Sequence, residues 1–441
     1  MNKLPQELVD RISSHLSRDE LKNTLLSSHA FRYPAEKYSG AFERFWLFEG
    51  TTRRFIDIFS GHRVLYLRNV EFGISLPLHE DPEGRDNADQ LSKNDKSLTE
   101  QIMILFKTIK TVEERVGSQN IGKNRLAISS PLRLILFRGS LSYNNHLSWR
   151  VHLLKPEVLP SLESVRSLEV GDDWPFDETI GQGRDATNYD WARVKLDYRV
   201  MVDLVAKLPN LEYWGCRIGG DEWWPKTKQE ATRYFTQDWA GPRWDTRHDF
   251  AEALLSIRLP NTLRRIHLNF FHDLTSTTDI DHLTAQPDLT SPAGNGYFST
   301  SLHHLSHHLR RLHLGVVADE TLFWPKSNCT PSWPNLESLV VVFHMVSRSG
   351  HWYFTGPNRE GRSTAVLQVT DASYPPLEMT SLDEDMVAQI EAEGDMRDTD
   401  MNIRFRVVPN DTTLRPFLAA FAKAASRMSA LREAALWCPL A

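Results

Sequence analysis

The segment LVAKLPNLEYWGCRI, residues 204–218, decides how the chain reads. An amphipathic helical stretch runs out, a short break follows, and a leucine-led apolar segment of strand length begins. The theme recurs from Thr51 onward: LPSLESVRSLEV from Leu159, RLPNTLRRIHLNF from Arg258, HHLRRLHLGVV from His307 and WPNLESLVVVFH from Trp333. A further copy, MSALREAALW from Met428, follows a long helical run from Leu414, and weaker ones are HRVLYLRNV from His62 and PLRLILFRG from Pro131. One strand and one helix cannot hide their apolar faces alone, whereas stacked copies can, so the repetition itself supplies a core.

The copies resemble leucine-rich repeats, in which each unit gives one strand to a continuous parallel sheet and a helix to the opposite side. The expected fold is therefore α/β, with an irregular leucine-rich-repeat-like solenoid over residues 51–441. Leu162, Leu211, Leu263, Leu309 and Leu336 are separated by 49, 52, 46 and 27 positions, against roughly 20–29 in regular repeats. Long insertions are expected near 79–97, 171–195, 220–245 and 371–402. The pattern L-x-x-L-x-L buries Leu263, Ile266 and Leu268, and likewise Leu309, Leu312 and Leu314, because strand side chains alternate between faces. His267 and His313 then point away from the core with Glu169 and Val340, along the concave sheet that solenoids use for binding. A plain outward polar residue explains the histidines equally well.

The first fifty residues read differently. Leu4, Leu8, Ile12 and Leu16 follow at four-residue steps along one side of a helix that Pro5 and Glu7 begin. Ser17-Arg18-Asp19-Glu20 has the S-x-x-E form of a capping box, predicting a second helix to about Ser28. Tyr38, Phe42 and Trp46 recur every four residues after Pro34 and predict a third helix that stops at Gly50. The series Leu4-Pro5, Glu7-Leu8, Ile12, Leu16, Asp19, Leu21, Ser27-Ser28, Phe31-Arg32 and Trp46 resembles the F-box. That resemblance implies a small three-helix module over residues 1–50 that docks onto the adaptor subunit of a cullin-based ubiquitin ligase through Leu4, Pro5, Leu8, Ile12 and Leu16. It also implies that the downstream chain selects a target protein. Tyr33-Pro34 departs from the family pattern. The alternative is a helical cap sealing a larger core, with the chain an interaction scaffold unconnected to a ligase.

Composition fits a large folded protein. The chain has 441 residues, 41% of them hydrophobic and 24% charged, with a net charge of −6. That balance implies no polyanion-binding surface, and no basic cluster of the nucleic-acid-binding kind stands out. Cys216, Cys329 and Cys438 lie far apart, as in a reducing compartment. No signal peptide and no run of eighteen apolar residues is visible, so a cytoplasmic or nuclear protein without membrane contact is expected. Four residues follow Trp437 with no polar cap, so either the chain continues past Ala441 or the helix from Leu414 seals the end.

Residues 79–97 read as a mobile loop, and 371–400 as an acidic insertion with a short helix capped by Ser381 and Glu384. Trp174, Trp191, Trp214, Trp223, Trp224, Trp239 and Trp244 crowd the section between them. They read as anchors for insertions or as a recognition surface. Candidate target contacts are Glu169, Trp223, Trp224, His267 and His313. Gly181-Gln182-Gly183-Arg184-Asp185-Ala186 matches a dinucleotide fingerprint literally, but no apolar strand precedes it. His303, His304, His307 and His308 make two i, i+4 pairs able to place two imidazoles on one metal. No third ligand is visible, and a solvated helix face is preferred to a metal-dependent enzyme. No catalytic residue, metal site or cofactor is expected.

Overall fold

The computed structural model describes residues 4–27, 29–77, 87–118, 132–138, 148–171, 195–219, 234, 239–271, 280, 282–290, 297–325, 331–361, 365–393 and 404–440. Three short helices open the chain: α1 (Gln6–Ser13), α2 (Arg18–Ser27) and α3 (Arg32–Tyr38). Next come β1 (Arg44–Leu47), α4 (Thr52–Phe59), β2 (Asn69–Ile74) and α5 (Ala88–Ser118). The middle holds β3 (Leu132–Arg138), β4 (Val165–Gly171), α6 (Arg199–Val205), β5 (Tyr213–Arg217), α7 (Ala240–Ser256) and β6 (Arg265–Asn269). Then follow β7 (Gln286–Pro287), α8 (Tyr297–Ser306), β8 (Arg311–Val316), β9 (Ser338–Phe343), β10 (Phe354–Thr355) and β11 (Val366–Leu367). The last elements are α9 (Ser381–Glu393), β12 (Val408–Pro409), α10 (Asp411–Ala425) and β13 (Glu433–Trp437).

The fold is mixed α/β around a parallel sheet of nine strands in the order β1-β2-β3-β4-β5-β6-β8-β9-β13, in which spatial order follows chain order. Two registered rows cross its inner face. One runs Leu134, Leu168, Trp214, Ile266, Leu312 and Leu339; the other runs Leu136, Val170, Cys216, Leu268, Leu314 and Val341. All of these are buried against the helix layer in one core, and each fully buried large side chain contributes about 1.5–3 kcal/mol. Leu263, Ile266, Leu268, Leu309, Leu312 and Leu314 are buried as the alternation predicts.

A repeated backbone device enters β6, β8, β9 and β13. The Glu212 carbonyl accepts from the Arg264 and Arg265 N–H groups at 3.1 and 3.2 Å, and the Arg264 carbonyl accepts from Arg310 and Arg311 at 2.8 and 3.1 Å. Arg310 serves Glu337 and Ser338 in the same way, and Glu337 serves Arg432 and Glu433. Strand entry is thus regular while the crossovers vary. Among the described residues the crossover from β8 to β9 carries a 3-10 turn at Glu320–Leu322, whereas α6, α7 and α8 accompany the longer intervals.

Several elements differ from the sequence reading. The third helix ends at Tyr38, and Gly40 follows at φ +67°, a conformation that favours glycine. Trp46 lies in β1, paired with β2, because Leu47 is needed in the core and Phe45 packs on Phe55 at 5.1 Å. Residues 88–97, expected in a loop, are the first turns of α5. Asn87 Oδ1 accepts from the Gln90 N–H at 2.9 Å, and Leu98, Ile102, Leu105, Phe106, Ile109 and Val112 bury one face of that helix. Ser381 does begin α9, but Thr380 and Asp383 form the reciprocal cap one residue earlier. Two small pairings, β7 with β11 and β10 with β12, had no visible pattern in the sequence.

Candidate interaction surfaces

At the N-terminus Pro5 stands just before α1, one place earlier than expected. Its carbonyl accepts from the Leu8 and Val9 N–H groups at 3.1 and 3.2 Å. Val9 and Ser13, one turn apart, are buried at 1% and 0% exposure. The neighbouring stripe, turned by about 100°, is open to solvent: Leu4 is 43%, Leu8 47% and Ile12 42% exposed. Pro5 is exposed and Leu16 half-buried, while Leu25, Tyr33 and Phe48 add further exposed apolar surface. The capping box of α2 forms, the Ser17 N–H donating to Glu20 Oε2 at 2.7 Å and the Glu20 N–H to Ser17 Oγ at 3.4 Å. The Ser17 hydroxyl also donates to the Glu20 carboxylate and holds its pKa below the usual value.

The helices are fixed to the 3-10 turn His62–Leu65 ahead of β2 by a cluster that sequence reasoning missed. The buried Glu36 of α3 accepts from Arg63 at 2.6 Å and Arg32 at 3.3 Å and lies 2.7 Å from His62 Nε2. Burial works to raise this carboxyl, but the hydrogen bonds from Arg63 and His62 outweigh it and hold the pKa at about 2. Tyr66 adds a hydroxyl donated to the Tyr33 carbonyl at 3.3 Å. Arg63 and His62 lie 27 and 26 positions from Glu36, beyond any periodic signal.

The outward face of the sheet carries a registered row of Glu169, Gly215, His267, His313 and Val340. His267 and His313 are adjacent and stacked, their ring centroids 4.1 Å apart and their planes 10° from parallel. Burial and the neighbouring His313 and Arg217 push His267 down to about 4, and burial lowers His313. Both rings are therefore neutral at pH 7. Glu169 is not brought to them. Gly215 intervenes, and the Tyr213 hydroxyl reaches over it to donate to Glu169 Oε1 at 3.4 Å. A Cβ at Gly215 would sit 2.7 Å from that hydroxyl.

Trp223 and Trp224 lie outside the described residues, as do Trp174, Trp191 and the 181–186 glycine motif. The described tryptophans of that section are anchors. Trp214 is buried beside Phe250, Trp239 is half-buried ahead of α7, and Trp244 donates Nε1–H to the Thr290 carbonyl at 3.0 Å.

The α8 histidines do not form the solvated face that the sequence suggested. His303 is 2% exposed and His307 half-buried, while His304 and His308 are exposed. His303 Nδ1 lies 3.1 Å from the Leu322 carbonyl, which can only accept, so the proton is on Nδ1 and Nε2 is left to accept from His307 Nε2–H at 3.1 Å. The pair joins α8 to the next crossover. Burial and the neighbouring His307 lower His303 to about 4. Among the described residues no group of three His, Cys, Asp or Glu side chains could hold a metal ion. A buried cation elsewhere, Arg406, is a scaffold element. Arg406 donates to the carbonyls of His282, Phe354 and Gly361 at 3.0, 3.2 and 2.9 Å, 4.2 Å over the Trp352 ring, and burial lowers its pKa to about 10.

Among the described residues no helix is long and apolar enough to cross a membrane. No protein-family model matches the chain, and no curated protein matches it.

Proposed function

We propose that the chain is a non-catalytic substrate-recognition subunit of an SCF-type cullin ubiquitin ligase. In this reading α1 to α3 are an F-box that binds the ligase adaptor and, through it, a cullin. The sheet and its helices are an irregular leucine-rich-repeat-like solenoid that holds a target protein in the cytoplasm or nucleus. The observation that carries the reading is the open stripe of Leu4, Leu8 and Ile12 on a helix already anchored through Val9. A cap built to seal the core would turn that stripe inward, and a small module that leaves so much apolar surface in water has reason to bind a partner. The recurring double acceptor at the entries to β6, β8, β9 and β13 supports the repeat reading. Transfer chemistry belongs to other subunits, and the receptor acts by raising the effective concentration of the target.

A ligase-independent scaffold is the second reading. The Glu36 cluster and the insertion of β1 into the sheet favour it, because a scaffold needs the N-terminal helices packed permanently on the rest. Affinity purification of the full chain separates the two. Co-purification of the adaptor and a cullin is expected, and their absence overturns the receptor reading in favour of the scaffold.

A further inference from the structure

β6 and β8 lie side by side and carry the same six-residue pattern. Leu263-Arg264-Arg265-Ile266-His267-Leu268 is matched by Leu309-Arg310-Arg311-Leu312-His313-Leu314. Packing accounts for half of each copy, since the apolar positions fill the core and any polar residue could alternate with them. The register sets Arg265 directly opposite Arg311 and His267 opposite His313. Like charges placed opposite each other on neighbouring strands destabilise a sheet, so fold stability does not explain the arginine pair. The preceding arginines are occupied. Arg264 donates to the Asn261 and Leu263 carbonyls at 2.6 and 2.9 Å, and Arg310 stands 4.0 Å from Glu337. Arg265 and Arg311 are exposed and form no ion pair with a carboxylate among the described residues, Arg265 lying 5.6 Å over the Tyr213 ring. Arg217 is also exposed at the other end of the same face, about 13 Å along the strands at ~3.3 Å per residue.

We propose that this face binds an acidic segment of another protein, extended along β6 and β8, with carboxylates on Arg265 and Arg311 and its chain across the stacked imidazoles. The histidines supply a flat platform and no further charge. On a chain of net charge −6, a local cationic patch favours an acidic partner at this face over a basic one. That the segment belongs to a ligase target rests on the receptor reading; its chemistry rests on the sheet face alone.

The test uses the full chain and a fluorescein-labelled ten-residue peptide of alternating Glu and Gly, which places every carboxylate on one side of an extended strand. Fluorescence polarisation is expected to report saturable binding that weakens with salt. The Arg265→Glu/Arg311→Glu double variant is expected to weaken binding about tenfold or more. Single Arg265→Gln and Arg311→Gln variants weaken it less, with melting temperatures no lower than the parent's, since each removes an opposed charge. The alternating Lys and Gly peptide does not bind. The proposal falls if no saturable binding is found, if the arginine variants bind as the parent does, or if a ten-residue oligothymidylate binds more tightly than the Glu peptide. Arginine-dependent peptide binding by a chain that never co-purifies with the adaptor leaves this face standing and removes the receptor reading.

Discussion

The open stripe of α1 can be tested by charge. Leu4, Leu8 and Ile12 each keep a little under half of their surface in water, so each has about half of its burial energy still to release. At about 1.5–3 kcal/mol for complete burial of such a side chain, the three together offer about 2–4 kcal/mol to a partner. That corresponds to roughly 30- to 1000-fold in the dissociation constant. Leu8→Asp with Ile12→Asp removes most of it and also brings uncompensated carboxylates into the contact. Because both positions are exposed, stability of the free chain should change by no more than about 0.5 kcal/mol for each substitution. Val9→Asp is the contrasting variant, since it buries a charge and is expected to unfold the N-terminal helices. Isothermal titration of the ligase adaptor into parent and variant chains measures the difference, with melting curves run alongside. Undiminished adaptor affinity in a folded Leu8→Asp/Ile12→Asp chain would refute the reasoning.

The remaining predictions concern stability. His303 is held at about 4 in the folded chain against an ordinary value of 6.5, so the unfolded state takes up its proton first as the pH drops. Its contribution is complete above pH 6.5 and is lost between 6.5 and about 4, by about 3 kcal/mol; urea denaturation from pH 7 to 4 should show the decline, and His303→Gln should flatten it. Glu36 acts in a lower window, because its pKa of about 2 means that the clamp is intact above about 4.5 and weakens as the pH falls toward 2. Glu36→Ala at pH 7 is expected to cost about 1–3 kcal/mol in a chemical denaturation series, less than a wholly buried pair because Arg63 and His62 keep some contact with water. Gly219 has φ +108°, and a Cβ there would lie 1.9 Å from the Phe270 carbonyl oxygen. Gly219→Ala should therefore cost about 2 kcal/mol or more, and a melting temperature equal to the parent's would contradict that geometry.

The parallel sheet could be read in the sequence wherever a leucine led a strand, because a buried face fixes which positions are apolar. The six buried Leu and Ile positions at β6 and β8 and the outward placing of His267 and His313 follow from alternation alone, whereas the stacking of the two rings needs the strands to adjoin. Alternation did not reveal that Gly215 would separate Glu169 from His267, since which strands adjoin is set by the order of the sheet. Four-residue spacing misled at Trp46. The intervals between Tyr38, Phe42 and Trp46 suit a helix, but demand for an edge strand with Leu47 in the core overrides local pattern. At α5 the polar opening, with Asp95 and Lys96, concealed a helix because its buried positions begin only at Gln90, Asn94 and Leu98. Asn94 and Gln90 are buried by bonding to each other at 3.0 Å, a pairing invisible to hydropathy. The Glu36 cluster had no sequence signal beyond the i,i+4 spacing of Arg32 and Glu36 on α3, as His62 and Arg63 come from a separate turn 26 and 27 positions on.

The same cluster constrains how a receptor of this shape would work. Joined by a flexible linker, the N-terminal helices would let a bound target wander through a volume that grows with linker length, and its effective concentration would fall accordingly. Here Gly40 allows a single sharp turn between α3 and β1, and Glu36, Arg63 and His62 fix the orientation on the other side of that turn. With strands about 4.8 Å apart, the arginine and histidine patch on β6 and β8 stands five to six strands from β1, or about 24–29 Å along the sheet. Irregular crossovers do not disturb that distance, because it is set by the unbroken succession of paired parallel strands from β1 to β8. Crossovers of different length can therefore join strands of one sheet without moving its outer face relative to α1, which would give a receptor built this way a constant reach despite variable loops.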